Sequence, residues 1–337
     1  MPSINWTPKA LFAMGQEIWK ASAIGAAIKL SLFPAIAELA PNSTATALAD
    51  KIGADPRGLG MLLTALTALD LLHKDRDSYR LTEFASQCLL EKSPDYYGDI
   101  LVHFSYLIPA WSQLEKSIQT GQKYQPSQQK PAQPERNIRA FLMGMHNVAR
   151  LQAETVAKAL DLSQAKTLLD LGGGPGTYAA TFCRQYPQLS AVVFDRPTSE
   201  PIFQEVVHHY GMERRVSFQS GDFLTSPLPS GFDAVWLSQV LHGESFEKAT
   251  ELVQRAAATL NPRGILAIQE FVLNDERDGP LGPALFSLNM LLQTEGGSSY
   301  TVSEISQMME KAGVLGISEV LAPLPPGNRI FWGTLSR

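Results

Sequence analysis

Residues 166–176 read Lys-Thr-Leu-Leu-Asp-Leu-Gly-Gly-Gly-Pro-Gly. A short apolar run ends at Asp170, four glycines fall within the next six residues, and an apolar helical pattern opens at Thr177. The reading is a buried strand that turns sharply through Gly172, Gly173, Gly174 and Gly176 into a helix. Glycine is needed there because the turn demands backbone angles that a side chain resists, and because a ligand must approach the main chain closely.

The spacing narrows the ligand. A dinucleotide loop needs G-x-G-x-x-G with a pyrophosphate at the helix N-terminus. Here Gly172 and Gly174 fit, but the third position falls on Thr177. Asp170, two residues before the first glycine, repels phosphate and suits an ammonium group. A second run, Ala191–Phe194, ends in Asp195, placed to accept from ribose hydroxyls. A third, Val216–Gln219, leads to Gly221-Asp222-Phe223, where Asp222 accepts from an adenine amino group and Phe223 covers the ring. A fourth, Phe232–Leu237, leads to Ser238 and then His242. Open α/β sheets bind ligands at this strand edge. The D-x-G-x-G-x-G pattern of residues 170–176 resembles motif I of the S-adenosylmethionine-dependent methyltransferases, and that resemblance implies S-adenosylmethionine as the cofactor, held by Asp170, Gly172, Gly174, Gly176, Asp195, Asp222, Phe223 and Ser238.

Between residues 166 and 337 the pattern gives seven strands with helices between the first five, a doubly wound α/β sheet whose last strand is antiparallel. A length of 337 residues favours more than one domain. The expected division is 1–100, a helical linker and pocket region at 101–160, and 161–337. With 45% hydrophobic and 18% charged residues the composition is that of a globular chain, without an apolar run long enough to span a membrane. No basic segment leads into an apolar signal region, so a cytoplasmic protein is expected. A net charge of −5 leaves no electrostatic footprint for nucleic acid. Cys88 and Cys183 read as ordinary thiols, and no metal site is expected.

The N-terminal part reads as a winged helix. Residues 1–40 have helical apolar spacing, Ser43 caps a short helix that stops at Gly53, and Asp55-Pro56 opens a second carrying Leu59, Leu62, Leu63, Leu66 and Leu69. A hairpin follows across 71–82. Arg57 is the one cation between Asp55 and Asp70, so the outward side, with Gly60, Met61, Thr64, Ala65 and Ala68, suits protein contact better than a DNA groove. Residues 91–120 are helix-like and aromatic, 121–137 form a polar loop, and a helix runs from Phe141 to Leu160.

Methyl transfer to a hydroxyl calls for a base near the methyl group, and histidine suits neutral pH. His242 follows the fourth strand at the ligand-bearing edge. The whole chain resembles the caffeate/hydroxyindole type of S-adenosylmethionine-dependent O-methyltransferase. The segments that carry the likeness are Leu32-Phe33, 59–72, 79–82, 169–176, Phe194-Asp195-Arg196-Pro197, Gly221-Asp222-Phe223, Leu241-His242 and Asn261-Pro262-Arg263-Gly264. The resemblance implies a Rossmann-like methyltransferase sheet, a homodimer through the winged-helix domain, His242 as general base, and Glu270 as the carboxylate that steers it. It also points to pocket walls from Phe141, Met145, Asn289 and Met290, with a flat, apolar or aromatic acceptor. Two departures stand out. Plant-type members have Gly-Gly-x-Glu-Arg-Thr where this chain has Gly296-Gly297-Ser298-Ser299-Tyr300-Thr301, and Leu-His-Asp-Trp has become Leu241-His242-Gly243-Glu244. A C- or N-methyltransferase of the same fold, or a ligand-sensing DNA-binding regulator, are the alternative readings.

Overall fold

Residues 5–125 and 134–336 are described by a computed structural model, and they divide by contact into two units. The first comprises Met1–Ile108 and Glu135–Asn147. Thr7 accepts from Ala10 N and starts α1 (Pro8–Lys29), which leads to α2 (Leu32–Leu39). Thr44, rather than the expected Ser43, caps α3 (Ala45–Ile52) by accepting from Ala47 N. Ser43 is buried and donates to Tyr79 O, so the two neighbouring hydroxyls divide the tasks of capping and joining. Gly53, left-handed at φ +67°, ends α3 as predicted. Asp55 accepts from Gly58 N and opens α4 (Pro56–Ala68).

The predicted hairpin is β1 (Leu72–Asp75) paired antiparallel with β2 (Ser78–Leu81). Then come α5 (Glu83–Cys88) and α6 (Gly98–Trp111), whose residues through Ile108 belong to this unit. The core of the winged helix gathers Phe33, Ile36, Leu48, Leu59, Leu63, Leu66, Leu72 and Tyr79. Met61 is exposed on the outward side of α4, as the apolar reading of that face required.

α7 (Leu114–Thr120) belongs to the second unit, and α8 (Pro134–Arg150) supplies Glu135–Asn147 to the first. Of the expected polar loop, residues 126–133 lie outside the described residues. The single helix expected through Leu160 is interrupted at Leu151-Gln152 and resumes as α9 (Ala153–Ala159).

The second unit is built on the Gly-rich strand. In chain order it contains β3 (Thr167–Leu171), α10 (Thr177–Gln185), β4 (Ser190–Asp195), α11 (Glu200–His209), β5 (Val216–Ser220) and β6 (Phe232–Ser238). These are followed by α12 (Phe246–Ala257), β7 (Leu260–Phe271), α13 (Leu281–Gln293), α14 (Val302–Lys311), β8 (Val314–Val320) and β9 (Asn328–Leu335). The sheet order is β5-β4-β3-β6-β7-β9-β8, parallel from β5 to β7. β9 is antiparallel to both its neighbours, as predicted for the last strand. β5 and β6 are joined by a loop without an α-helix, unlike the other parallel connections. Apolar residues alternate between two buried faces. Leu169, Val235, Leu237 and Ile268 pack against α12 and α14, while Leu168, Val193, Trp236 and Ala267 pack against α9 and α10. Cys183 lies in the second face, and burial pushes its thiol up to about 11. No single helix among the described residues is long and apolar enough to cross a membrane.

Candidate active site

Because β3 to β7 are parallel and in register, their C-terminal ends reach one edge of the sheet. Leu171 stands beside Phe194, Asp195 beside Ser220, and Ser238 beside Gln269. The glycine loop leaves this edge with left-handed backbone at Gly172 (φ +76°), Gly174 (φ +50°) and Gly176 (φ +74°). Gly173 is required by contact instead: a Cβ there would sit 2.4 Å from the carboxyl carbon of Asp170. Asp170 thus lies beneath the loop, 1% exposed, and accepts from Ala179 N at 3.3 Å in the first turn of α10. Burial above all raises its pKa to about 7, the Ala179 N–H opposes the shift, and the charge of Asp195 adds to it.

Asp195 ties two strand ends together. One oxygen accepts from Gly174 N at 2.7 Å; the other accepts from Arg196 N at 2.6 Å and Ser199 Oγ at 2.9 Å. Gly221 N donates to Asp195 O, and Asp222 accepts from Leu224 N, so the third strand end turns back toward the second. The Phe223 ring and the Val240 methyl groups crowd the α-carbon of Gly172, where a Cβ would lie 3.6 Å and 2.8 Å from them. Ser238 Oγ donates to Gln269 Oε1, Gln269 Nε2 to Asn328 Oδ1, and Asn328 Nδ2 to Gln152 Oε1. This polar chain was missed in the sequence, although a Gln-Glu pair closing the apolar run of β7 was a signal for it.

His242 occupies a 3-10 turn, Leu241–Gly243, directly after β6. Its Nδ1 is 2.7 Å from Glu270 Oε2, while Glu270 Oε1 accepts from Leu241 N at 2.8 Å and from His242 N at 3.4 Å. The carboxylate is 1% exposed and the histidine side chain 14%. Phe286 meets the imidazole edge to face at 4.7 Å, and Phe271 lies 4.7 Å behind it. With Nδ1 engaged, Nε2 is the nitrogen left to act. Gly297 allows the 294–300 loop to close behind this turn, since a Cβ there would fall 2.3 Å from His242 O. Ser299, at the position of the plant-type glutamate, donates to Pro283 O and is fully buried against α13. Gly243 borders open space.

Asn289 and Met290 lie on α13, where Asn289 Oδ1 accepts from Trp111 Nε1 at 3.1 Å and Met290 is buried. Phe141 and Met145 lie on α8 in the first unit, with Phe141 exposed and edge-on to His103. Among the described residues no group of three or more His, Cys, Asp or Glu side chains is placed to hold a metal ion.

Residues 111–315 match the family model of an O-methyltransferase domain, and residues 12–91 match that of an O-methyltransferase dimerisation domain. The chain belongs to the O-methyltransferase family. It is 32% identical over 340 residues to the 3-hydroxy-5-methyl-1-naphthoate 3-O-methyltransferase of Streptomyces sahachiroi, a match that covers 98% of this chain and 96% of that one. It is also 32% identical to the acetylserotonin O-methyltransferase of Bos taurus, over 86% and 87% of the two chains. Human N-acetylserotonin methyltransferase, solved in complex with S-adenosylmethionine, superposes over the full length of both chains with a TM-score of 0.85 at 27% identity. Membership makes this chain a methyltransferase, and Glu270 and His242 are paired at the C-terminal edge of its parallel strands.

Proposed function

We propose that the chain methylates a hydroxyl group on a flat aromatic small molecule, with S-adenosylmethionine as cofactor, His242 as general base and Glu270 as its orienting carboxylate. The observation that carries this reading is the grip of Glu270, which holds the imidazole with one oxygen and the backbone of the same turn with the other.

The cradle fits the cofactor. Three left-handed glycines bring bare backbone to the strand edge, and Asp195 and Asp222 supply acceptors beside it. Gly172, Gly174, Gly176, Asp195, Asp222, Phe223 and Ser238 are the residues that hold it, with Asp170 shaping the loop from below. When bound, the cofactor supplies an electrophilic methyl group on a sulfonium centre. His242 Nε2 removes the proton from the acceptor hydroxyl, and Glu270 stabilises the imidazolium that forms. Phe271 and Phe286 keep that side of the ring dry, which strengthens the pairing. Asn289 and Met290 contribute to the acceptor pocket.

The working form is a homodimer. The N-terminal helix leaves Leu11, Phe12, Ile18 and Trp19 exposed, with Phe12 at 68% and Trp19 at 66%. A stripe of that kind suits contact with another protein surface, and the dimerisation-domain match supports a second copy as the partner. Calorimetry with S-adenosylhomocysteine and rate measurements on His242→Ala test the proposal together. Tight binding with transfer abolished is expected; full activity of the variant removes the base assignment.

A further inference from the structure

A directed chain of hydrogen bonds runs between side chains under the ligand-bearing edge of the second unit. Ser238 Oγ on β6 donates to Gln269 Oε1 on β7 at 3.2 Å, and Gln269 Nε2 donates to Asn328 Oδ1 on β9 at 3.0 Å. Asn328 Nδ2 then donates to Gln152 Oε1, just before α9, at 2.7 Å. Each carboxamide accepts at its oxygen and donates from its nitrogen, so the bonds all point the same way. The chain begins at a Ser238 oxygen that can still accept and ends at a Gln152 nitrogen that can still donate. Tyr178, in the first turn of α10, places its hydroxyl among Gln269, Ser238 and Gln152. The tyrosine is 8% exposed, and its hydroxyl has no hydrogen-bond partner among the described residues. Buried polar atoms of native proteins are nearly always paired. Trp236 Nε1 is unpaired too, but an indole N–H only donates and cannot link two ends. A hydroxyl does both, and the two ends of the chain meet at this one.

We infer that Tyr178 is a positioning residue that closes this chain into a ring when the cofactor fills the cradle, its hydroxyl accepting from Gln152 Nε2 and donating to Ser238 Oγ. Each of the five side chains then donates and accepts in the same sense, the arrangement in which hydrogen bonds strengthen one another. The inference rests on the cofactor reading above and adds a residue outside both the cradle and the base pair. Its link to the cradle is short. Gly176 caps α10 two residues before the tyrosine, and Ala179 N, one residue after it, donates to Asp170 beneath the loop. A ligand that settles on the glycine loop therefore bears on the turn that carries Tyr178. The link to the base is as short, since Gln269 directly precedes Glu270, whose Oε2 engages the His242 ring. Ring closure ties the loop to the strand that orients the base, and it gives the hydroxyl the partners it lacks in the free enzyme. Burial above all pushes the Tyr178 phenol up, so the proton that the ring needs stays in place at neutral pH.

Tyr178→Phe keeps the aromatic ring and removes the hydroxyl. Because that hydroxyl is unpaired without ligand, the ligand-free Tm of the variant should stay at or above the wild-type value. Calorimetry should nonetheless show S-adenosylhomocysteine weakened about fivefold, the effect of one lost hydrogen bond. Gln152→Leu opens the ring at a residue outside the cradle and should weaken the same ligand by about the same factor. It should also lower the ligand-free Tm, since it breaks a bond already made. The double variant should bind no worse than either single one, because a ring is opened only once, whereas independent losses would multiply to about 25-fold. A ligand-free Tm of Tyr178→Phe below the wild type, an unchanged affinity, or losses that multiply overturn the inference. Wild-type protein that binds no S-adenosylhomocysteine fails the cofactor reading itself, and that failure is seen before any variant is made.

Discussion

The geometry of Glu270 makes Glu270→Gln a sharp test of the chemistry, because the substitution keeps the shape and removes one charge. Oε1 serves two backbone N–H groups, from Leu241 and His242, and Oε2 serves the imidazole Nδ1. If the glutamine oxygen stays on the backbone, its NH2 group faces Nδ1. That ring nitrogen must then accept, and the hydrogen moves to Nε2, where it blocks proton removal from the acceptor. If the amide rotates, its NH2 group confronts two N–H donors in a site 1% exposed to solvent. An unpaired donor buried in this way costs about 1–3 kcal/mol, so the first arrangement wins and the wrong tautomer is locked in. General-base catalysis contributes about 10²–10⁴ in rate, which corresponds to about 3–5 kcal/mol of barrier at 1.36 kcal/mol per tenfold. The expected result is kcat lower by about 10²–10⁴, with S-adenosylhomocysteine affinity within about twofold by calorimetry, since Glu270 touches the base and not the cradle. Acceptors with more acidic hydroxyls should recover part of the loss, because they need less help in ionising. A kcat within tenfold of the wild type in a folded variant, or a rate loss matched by lost ligand affinity, refutes the reasoning.

Asp170→Asn should change how stability depends on pH. The folded-state pKa is raised from 3.8 to about 7, so between those values the native state keeps a proton that the unfolded chain has released. Stability therefore falls as pH rises through that window and levels off above about 7, by on the order of 4 kcal/mol from this group. Melting curves from pH 4.5 to 8.5 without ligand should show the variant gaining on the wild type, and a constant difference removes the argument. Gly297→Ala places a Cβ 2.3 Å from His242 O, so it should displace the base turn, cost about 1–3 kcal/mol of stability as overpacking does, and lower kcat more than ligand affinity. Phe12→Glu with Trp19→Glu should shift the chain from dimer to monomer in light scattering, while a double variant that stays dimeric rules out α1 as the contact.

The strand tips were legible because their signals are local. An apolar run of about five residues ending in an acid, followed by glycine, predicts a buried parallel strand and its turn without knowledge of neighbours. Asp170 and Asp195 were read from the acids that end their runs, Asp222 from the Gly-Asp-Phe after the third run, and His242 from its place after the fourth. What neighbours decide was not legible. The depth of Asp170 depends on Gly173 lying flat over it, and Thr44 caps α3 because the adjacent Ser43 is engaged with Tyr79 across 36 residues of chain. The left-handed turn at Gln239 carries no compositional mark, since glutamine is not a residue that announces such a backbone. The β5–β6 connection, residues 221–231, was expected to hold a helix like the others, and the structure shows that it contains none.

The position of Glu270 explains why the antiparallel strand matters to the proposed chemistry. β9 pairs with β7 so that Gln269 faces Ile330, Glu270 faces Arg329 and Phe271 faces Asn328. Ser238 on β6 lies beside Gln269 on the other side. The end of β7 is therefore an interior position of the sheet, with partners on both edges. The polar chain from Ser238 through Gln269 and Asn328 to Gln152 fastens the same level side chain to side chain. The carboxylate is carried by the most constrained part of the unit, and the histidine by a short turn that the carboxylate itself holds. Orientation thus passes from rigid sheet to mobile group, the arrangement that keeps a catalytic side chain within tight angular limits. Were β9 absent from that edge, Glu270 would sit on an edge strand beside solvent. Its grip on the imidazole would then be exposed to water, and a hydrogen bond that a buried site strengthens would lose most of its orienting force.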